Sequence, residues 1–140
     1  VALAVLMPIV ASMGGNAGTQ TLTITVRALA TKELTPYNTF RTCRKELVVG
    51  FLNGCLFAVL AGLITFFWFN HLNDAPMLGL IIAGAMIINL VVAGLAGVAL
   101  PIFLEKMKID PAIASGVFVT TITDVVGFFA FLSLASTFLL

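Results

Sequence analysis

Four long apolar stretches alternate with three short polar segments along the chain. The apolar stretches cover about residues 1–30, 47–69, 77–104 and 111–140. Each one is at least as long as the ~20 apolar residues that a helix needs to cross a bilayer. None shows the ~10-residue alternation that is typical of membrane barrel strands. Because backbone polar groups in lipid must find partners within their own segment, each stretch is predicted to be a transmembrane helix.

The composition agrees with this pattern. The chain has 140 residues, of which 61% are hydrophobic and 9% are charged, whereas a soluble domain has about 25% charged residues. We therefore predict an all-α, polytopic membrane protein: a helical bundle with four transmembrane helices in one domain, residues 1–140. Val1 already lies in an apolar run, with no basic segment of a signal peptide before it. We expect a fifth helix upstream.

The basic residues indicate the orientation of the chain. All seven flank or occupy two of the three polar segments: Arg27, Lys32, Arg41, Arg44, Lys45, Lys106 and Lys108. The positive-inside rule then predicts a multi-pass protein of the plasma (inner) membrane with cytoplasmic loops at residues 31–46 and 105–110. The formal net charge of +1 argues against a nucleic-acid partner. Cys43 and Cys55 are too few for a disulfide framework and are predicted to be free thiols.

Asp124 is the only acidic residue deep inside an apolar stretch. A carboxylate at that depth costs at least ~2.5 kcal/mol, so it is a candidate functional residue. Gly116, Thr120, Asp124 and Gly127 share one helical face. Asp124 is fourteen residues from Asp110, which is about 21 Å along a helix and close to the middle of a ~30 Å hydrocarbon core.

A second polar stripe runs along the first apolar stretch. It consists of Pro8, Ser12, Asn16, Thr19 and Thr23. Asn16 lies about 16 Å from Arg27 along a helix. Both polar centres are counted from the same cytoplasmic surface, so we expect Asn16 and Asp124 at comparable depth.

These side chains offer oxygen ligands for a cation. The candidate metal-binding residues are Asp124, Asn16, Thr120, Ser12, Gly15 and Gly116, the glycines through their backbone. Ligation by oxygen alone suits Mg²⁺, Ca²⁺ or Mn²⁺. Mg²⁺ is typically held by one or two carboxylates and keeps several waters. One aspartate per chain fits this poorly, but two aspartates at a two-fold axis fit it well.

Two other functions use the same residues. In a proton- or Na⁺-coupled cation transporter, Asp124 would cycle between protonation states. In a non-transporting membrane scaffold, the polar stripes and the run Gly14-Gly15-Asn16-Ala17-Gly18 would only pack helices together. An enzyme is not expected, because no intramembrane pair of nucleophile and base is evident.

The third stretch contains small residues and one polar residue. Gly94 and Gly97 are predicted to pack closely against another helix. Asn89 is interpreted as the donor of an interhelical hydrogen bond in preference to a group that supports a metal ligand.

Two motifs carry a family resemblance. The first is Pro8…Gly14-Gly15-Asn16-Ala17-Gly18-Thr19-Gln20 followed by Arg27-Ala28-Leu29-Ala30, and the second is Asp110-Pro111-Ala112…Thr120-Thr121-Ile122-Thr123-Asp124-Val125-Val126-Gly127. They resemble the second and the last membrane helix of the MgtE magnesium channel family. The resemblance covers all four stretches in order.

The resemblance implies a homodimer with five membrane helices per protomer and a pore between the protomers, lined by the second and fifth helices. It implies that Asp124 matches the pore aspartate that binds hydrated Mg²⁺, and that Asn16 and Thr120 match pore-lining positions. Gly116 stands where some members have an asparagine. Mn²⁺, Co²⁺ and Ca²⁺ are further candidate ions. The family's first helix and its upstream cytosolic regulatory domain lie outside this chain.

Overall fold

Four long α-helices make up the fold. The computed structural model describes residues 1–113 and 116–140. The helices are α1 (Ala2–Ala30), α2 (Thr39–Trp68), α3 (Ala75–Lys106) and α4 (Pro111–Leu139). All four are long and apolar enough to cross a membrane, and the described residues contain no strand. The predicted all-α membrane bundle is confirmed.

Helix α3 is the centre of the bundle. It packs against each of the other three helices, and α1 also packs against α4. The helices α1, α3 and α4 therefore form a three-helix cluster, and α2 is attached to it through α3. Val10, Ile82 and Phe131, one from each helix of the cluster, have no exposed surface and meet in one hydrophobic core. Most of α2 faces outward, where lipid would surround it.

The polar segment before α2 is shorter than predicted. A loop was expected over residues 31–46, but α2 begins at Thr39, so that residues 39–46 are helical. Hydropathy detects where the chain enters lipid, and a helix can extend beyond that boundary into water. Arg41, Arg44 and Lys45 are exposed on this extension. Asn38 ends the loop: its Oδ1 accepts from the Thr35 N–H at 2.7 Å, and its Nδ2 donates to the Glu33 carbonyl at 2.9 Å.

Helix α4 begins at Pro111, where the fourth apolar stretch was predicted to begin. Asp110 caps the helix, because its carboxylate oxygen accepts from the backbone N–H of Ala112 at 3.0 Å. Pro111 occupies the first turn, where a missing N–H costs no hydrogen bond. Cys43 and Cys55 are free thiols, as predicted.

Close contacts between backbones hold α3 against its neighbours. A β-carbon built on Gly94 would lie 3.0 Å from the Glu46 carbonyl oxygen of α2, and one on Gly97 would lie 2.8 Å from Thr21 Cβ of α1. Small residues allow this approach where the hydrophobic effect provides no driving force between helices. The predicted packing role of Gly94 and Gly97 is confirmed.

Candidate cation site

The contact between α1 and α4 sets the level of the two polar stripes. The helices run in opposite directions and touch through the glycines of α1. A β-carbon built on Gly15 would lie 3.8 Å from Thr123 Oγ1, and one on Gly18 would lie 2.6 Å from Val119 Cγ1. Moving three residues along α1 therefore moves four residues back along α4, as expected for antiparallel helices in close contact.

This register brings Asn16 and Asp124 to similar depth. With Gly15 opposite Thr123, Asp124 is level with Gly14. Asn16 is two residues further along α1, which is about 3 Å along the helix axis. The depth match expected from the sequence agrees with these contacts.

The stripe on α1 lies on the outer surface of the bundle. All of its members are exposed: Pro8, Ser12, Asn16, Thr19 and Thr23. Asp124 of α4 is exposed beside it. Gln20 and Thr121, which the sequence analysis did not select, are also exposed polar residues of these two helices. Together they form one face of α1 and α4, which we call the polar face.

The four residues of α4 that were predicted to share one face, Gly116, Thr120, Asp124 and Gly127, differ in their exposure. Asp124 is exposed, Thr120 is half-buried, and Gly127 is buried. A β-carbon on Gly127 would lie 2.8 Å from Asn89 Nδ2. Gly127 was expected on the same face as Asp124, but it belongs to the packing surface, because the contact with α3 and α1 takes up that edge of the helix.

The side chains of the polar face differ in their hydrogen bonding. Over the described residues, those of Ser12, Asn16 and Asp124 meet no hydrogen-bonding or ionic partner. The hydroxyl of Thr19 donates to the Gly15 carbonyl at 2.8 Å, and that of Thr120 donates to the Gly116 carbonyl at 3.1 Å. Both carbonyls lie inside helices and also accept the backbone N–H four residues further on. The two candidate backbone oxygens therefore each accept two hydrogen bonds already, which uses both lone pairs.

Comparison with known proteins identifies the family. The family model for MgtE, a divalent cation transporter, matches residues 7–134 of the chain. The chain belongs to the MgtE family. This confirms the resemblance that the two motifs carry.

Named relatives of this MgtE chain agree with the family model. The magnesium transporter MgtE of Bacillus subtilis is 32% identical over 139 residues, which are 99% of this chain and 30% of the relative. Those of Enterococcus faecalis and Thermus thermophilus are 34% and 35% identical, over 98% and 96% of this chain and 29% of each relative. The chain spans about 30% of the length of these relatives.

The MgtE chain has few metal-ligating groups of its own. The described residues contain no group of three His, Cys, Asp or Glu side chains that could hold a metal ion. Asp124 is the only carboxylate at the polar face. A cavity of about 630 Å³ is an apolar groove between α2 and α3, lined by residues such as Val59 and Leu80. Asp124 and Asn16 line neither this groove nor the smaller cavity beside Gln20, so the candidate site is an open face of the chain.

Proposed function

We propose that the chain is a single transmembrane pore domain, residues 1–140, that carries Mg²⁺ across the plasma membrane as a homodimer. The observation that carries this proposal is the exposed carboxylate of Asp124 on the polar face, within the apolar helix α4. Over the described residues it meets no hydrogen-bonding or ionic partner. The relatives are named as magnesium transporters, which supports Mg²⁺ as the transported ion.

A second copy of the chain explains why Asp124 is exposed. A carboxylate that faced hydrocarbon would cost at least ~2.5 kcal/mol. Two copies related by a two-fold axis would bring identical surfaces together, so that two polar faces would enclose a polar pathway. The two Asp124 side chains would repel each other across the axis, and a divalent cation between them removes that repulsion.

The ion would be held with most of its water. Mg²⁺ dehydrates reluctantly, prefers octahedral geometry and is bound through one or two carboxylates. The two Asp124 carboxylates would hold the hydrated ion, while Asn16, Ser12 and Thr120 accept hydrogen bonds from its waters. The carbonyls of Gly15 and Gly116 already accept two hydrogen bonds each, so the side chains would bind most of the waters. Among the described residues, apart from its own turn of helix, no atom lies within 4 Å of a β-carbon built on Gly116, which leaves room for a hydration shell. Ca²⁺, which is larger and takes 6–8 ligands, fits a compact octahedral hydrate poorly.

The orientation follows from charge. The loops α1–α2 and α3–α4 lie at the same end of the bundle, and all seven basic residues flank or occupy these loops. By the positive-inside rule this end is cytoplasmic. Further parts of the protein, a fifth helix and a cytosolic regulatory domain among them, would belong to the sequence that the longer relatives have beyond this region.

Cross-linking tests whether two polar faces meet. In the complete protein with Cys43→Ser and Cys55→Ser, we expect Asp124→Cys to give a covalent dimer with a short bifunctional thiol reagent. A spacer is needed because a direct disulfide requires Cα atoms about 4.4–6.8 Å apart, which is less than a hydrated ion would leave.

Ser133→Cys provides the matched control. Ser133 is exposed on the same helix, nine residues from Asp124 and thus on the opposite side of α4 at about 100° per residue. We expect little or no dimer from it. Equal cross-linking of both variants, or cross-linking of Ser133→Cys alone, would contradict a dimer closed through the polar faces.

A further inference from the structure

Asn89 forms the hydrogen bond that joins α3 to α1 in the interior of the bundle. It lies near the middle of α3, has no exposed surface, and donates from Nδ2 to the Val10 carbonyl oxygen at 2.8 Å. Over the described residues, the one other side-chain hydrogen bond between two helices runs from Thr21 to Glu46, near the charged ends of the helices, at 3.5 Å. The contact of Asn89 is therefore the polar link between helices at the depth of the polar face.

Two glycines make room for this side chain. A β-carbon on Gly14 of α1 would collide with the Asn89 amide, and one on Gly127 of α4 would lie 2.8 Å from Asn89 Nδ2. The amide thus sits in a slot between α1 and α4. A single side chain of the central helix touches both helices that carry the polar face.

The slot is close to the candidate cation site. Gly14 is two residues from Asn16, and Gly127 is three residues from Asp124. These separations are about 3 Å and 4.5 Å along the helix axes. A shift of α1 or α4 at the slot would therefore move Asn16 or Asp124 by a similar amount.

Packing alone does not account for an asparagine at this position. Its Oδ1 is buried and meets no hydrogen-bond partner over the described residues. An unsatisfied buried acceptor is costly, whereas an apolar residue of the same shape would avoid that cost. The donor to Val10 is the one polar contact that an apolar residue could not replace.

We propose that Asn89 is a positioning residue for the cation site. It fixes α1 at the Val10 carbonyl and lies against α4 at Gly127, and it thereby sets the relative position of Asn16 and Asp124. This inference rests on the proposed function, since the geometry that it controls is that of the Mg²⁺ site.

Replacement by an apolar residue of similar size tests the proposal. In the complete protein reconstituted in liposomes, Asn89→Leu is expected to raise the half-saturating Mg²⁺ concentration roughly three- to tenfold, as for one interhelical hydrogen bond in a membrane. The thermal midpoint should change little. A purely structural residue would give the opposite result, a lower thermal midpoint with unchanged half-saturation. Asn53→Leu, at an exposed asparagine of α2, is the matched control and should alter neither quantity.

A second variant separates the hydrogen bond from the filling of space. Asn89→Ala combined with Gly127→Ala places a methyl group in the slot but supplies no donor. We expect its half-saturation to rise as in Asn89→Leu. Suppose that at least one of these two variants assembles, and that each variant that assembles keeps the parent's half-saturating Mg²⁺ concentration. If Asp124→Ala abolishes flux in the same assay, the inference is wrong and the proposed function stands. If neither assembles, Asn89 is a folding residue and the inference is also wrong.

A distance measurement keeps the inference testable without transport. Spin labels at Thr23 and Val117, both exposed, report the separation of α1 and α4 when labelled protein is diluted in unlabelled protein. Asn89→Leu should shift or broaden this distance distribution. An unchanged distance distribution would overturn the positioning role of Asn89. This outcome does not depend on the flux of Asp124→Ala, which tests the proposed function.

Discussion

Asp124→Ala is expected to lower Mg²⁺ uptake into proteoliposomes by roughly three orders of magnitude or more, because removing one partner of a buried charge pair costs about 2–5 kcal/mol, and each 1.4 kcal/mol is about tenfold. In the dimer each site loses both carboxylates, so the loss should be at the upper end of this range. Asp124→Glu keeps the charge but moves it by one methylene, and an intermediate rate is expected. The measurement is initial uptake followed with a Mg²⁺-sensitive dye, normalised to the amount of assembled protein.

Ser133→Ala is the control for this series, since Ser133 is an exposed polar residue on the opposite side of the same helix. It should transport Mg²⁺ at the parent rate. Undiminished uptake by Asp124→Ala would remove the basis of the proposed function.

Asp124→Asn distinguishes the proposed pore from its two alternatives. In a pore, the amide keeps an oxygen that accepts hydrogen bonds from the waters of the ion, so Asn should retain more flux than Ala. In a proton-coupled transporter, Asn would be as inactive as Ala, and the parent flux would depend steeply on pH. In a scaffold, Asp124→Asn would leave flux and cation binding unchanged and would alter oligomerisation.

Gly18→Val is expected to have the largest effect on stability. A β-carbon at this position would lie 2.6 Å from Val119 Cγ1 and 3.6 Å from Ala93 Cβ, so a valine would force α1 away from both α4 and α3. Overpacking of this kind costs about 3 kcal/mol, which corresponds to a fall of roughly 10 °C in the thermal midpoint. The measurement is thermal unfolding of the complete protein in detergent.

Gly116→Ala is the matched control for stability, because no atom of the described part of the chain, outside its own turn of helix, lies within 4 Å of a β-carbon built there. Its thermal midpoint should equal that of the parent or exceed it slightly, since alanine favours a helix over glycine by about 1 kcal/mol. Equal destabilisation by the two variants would show that the tight contact between α1 and α4 does not govern stability.

Much of the fold could be predicted because lipid imposes simple rules on a sequence. The length of the apolar stretches predicted four helices, and the fourth stretch was predicted to begin at Pro111, where α4 begins. Asn89 was interpreted as an interhelical donor, since a lone polar residue in an apolar helix requires a partner. Each of these predictions depends on local chemistry, and the structure confirms each one.

The remaining features depend on contacts between helices, which a single sequence does not reveal. The start of α2 was placed at Leu47 instead of Thr39, because the hydrophobic boundary and the helix boundary differ. Gly127 was assigned to the face of Asp124, although α3 packs against it. Similarly, no local signal indicated that α3 would be the central helix. Its small residues predicted close packing, but not with three partners.

In the proposed dimer, a hydrated Mg²⁺ lies on the two-fold axis between two Asp124 side chains. The most direct measurement is a structure of the complete protein in a lipid environment with Mg²⁺ present. We expect an octahedral ion between the two carboxylates, with oxygen ligands at about 2.0–2.1 Å. A dimer in which Asp124 faces lipid, or in which the ion lies away from the polar faces, would contradict this expectation.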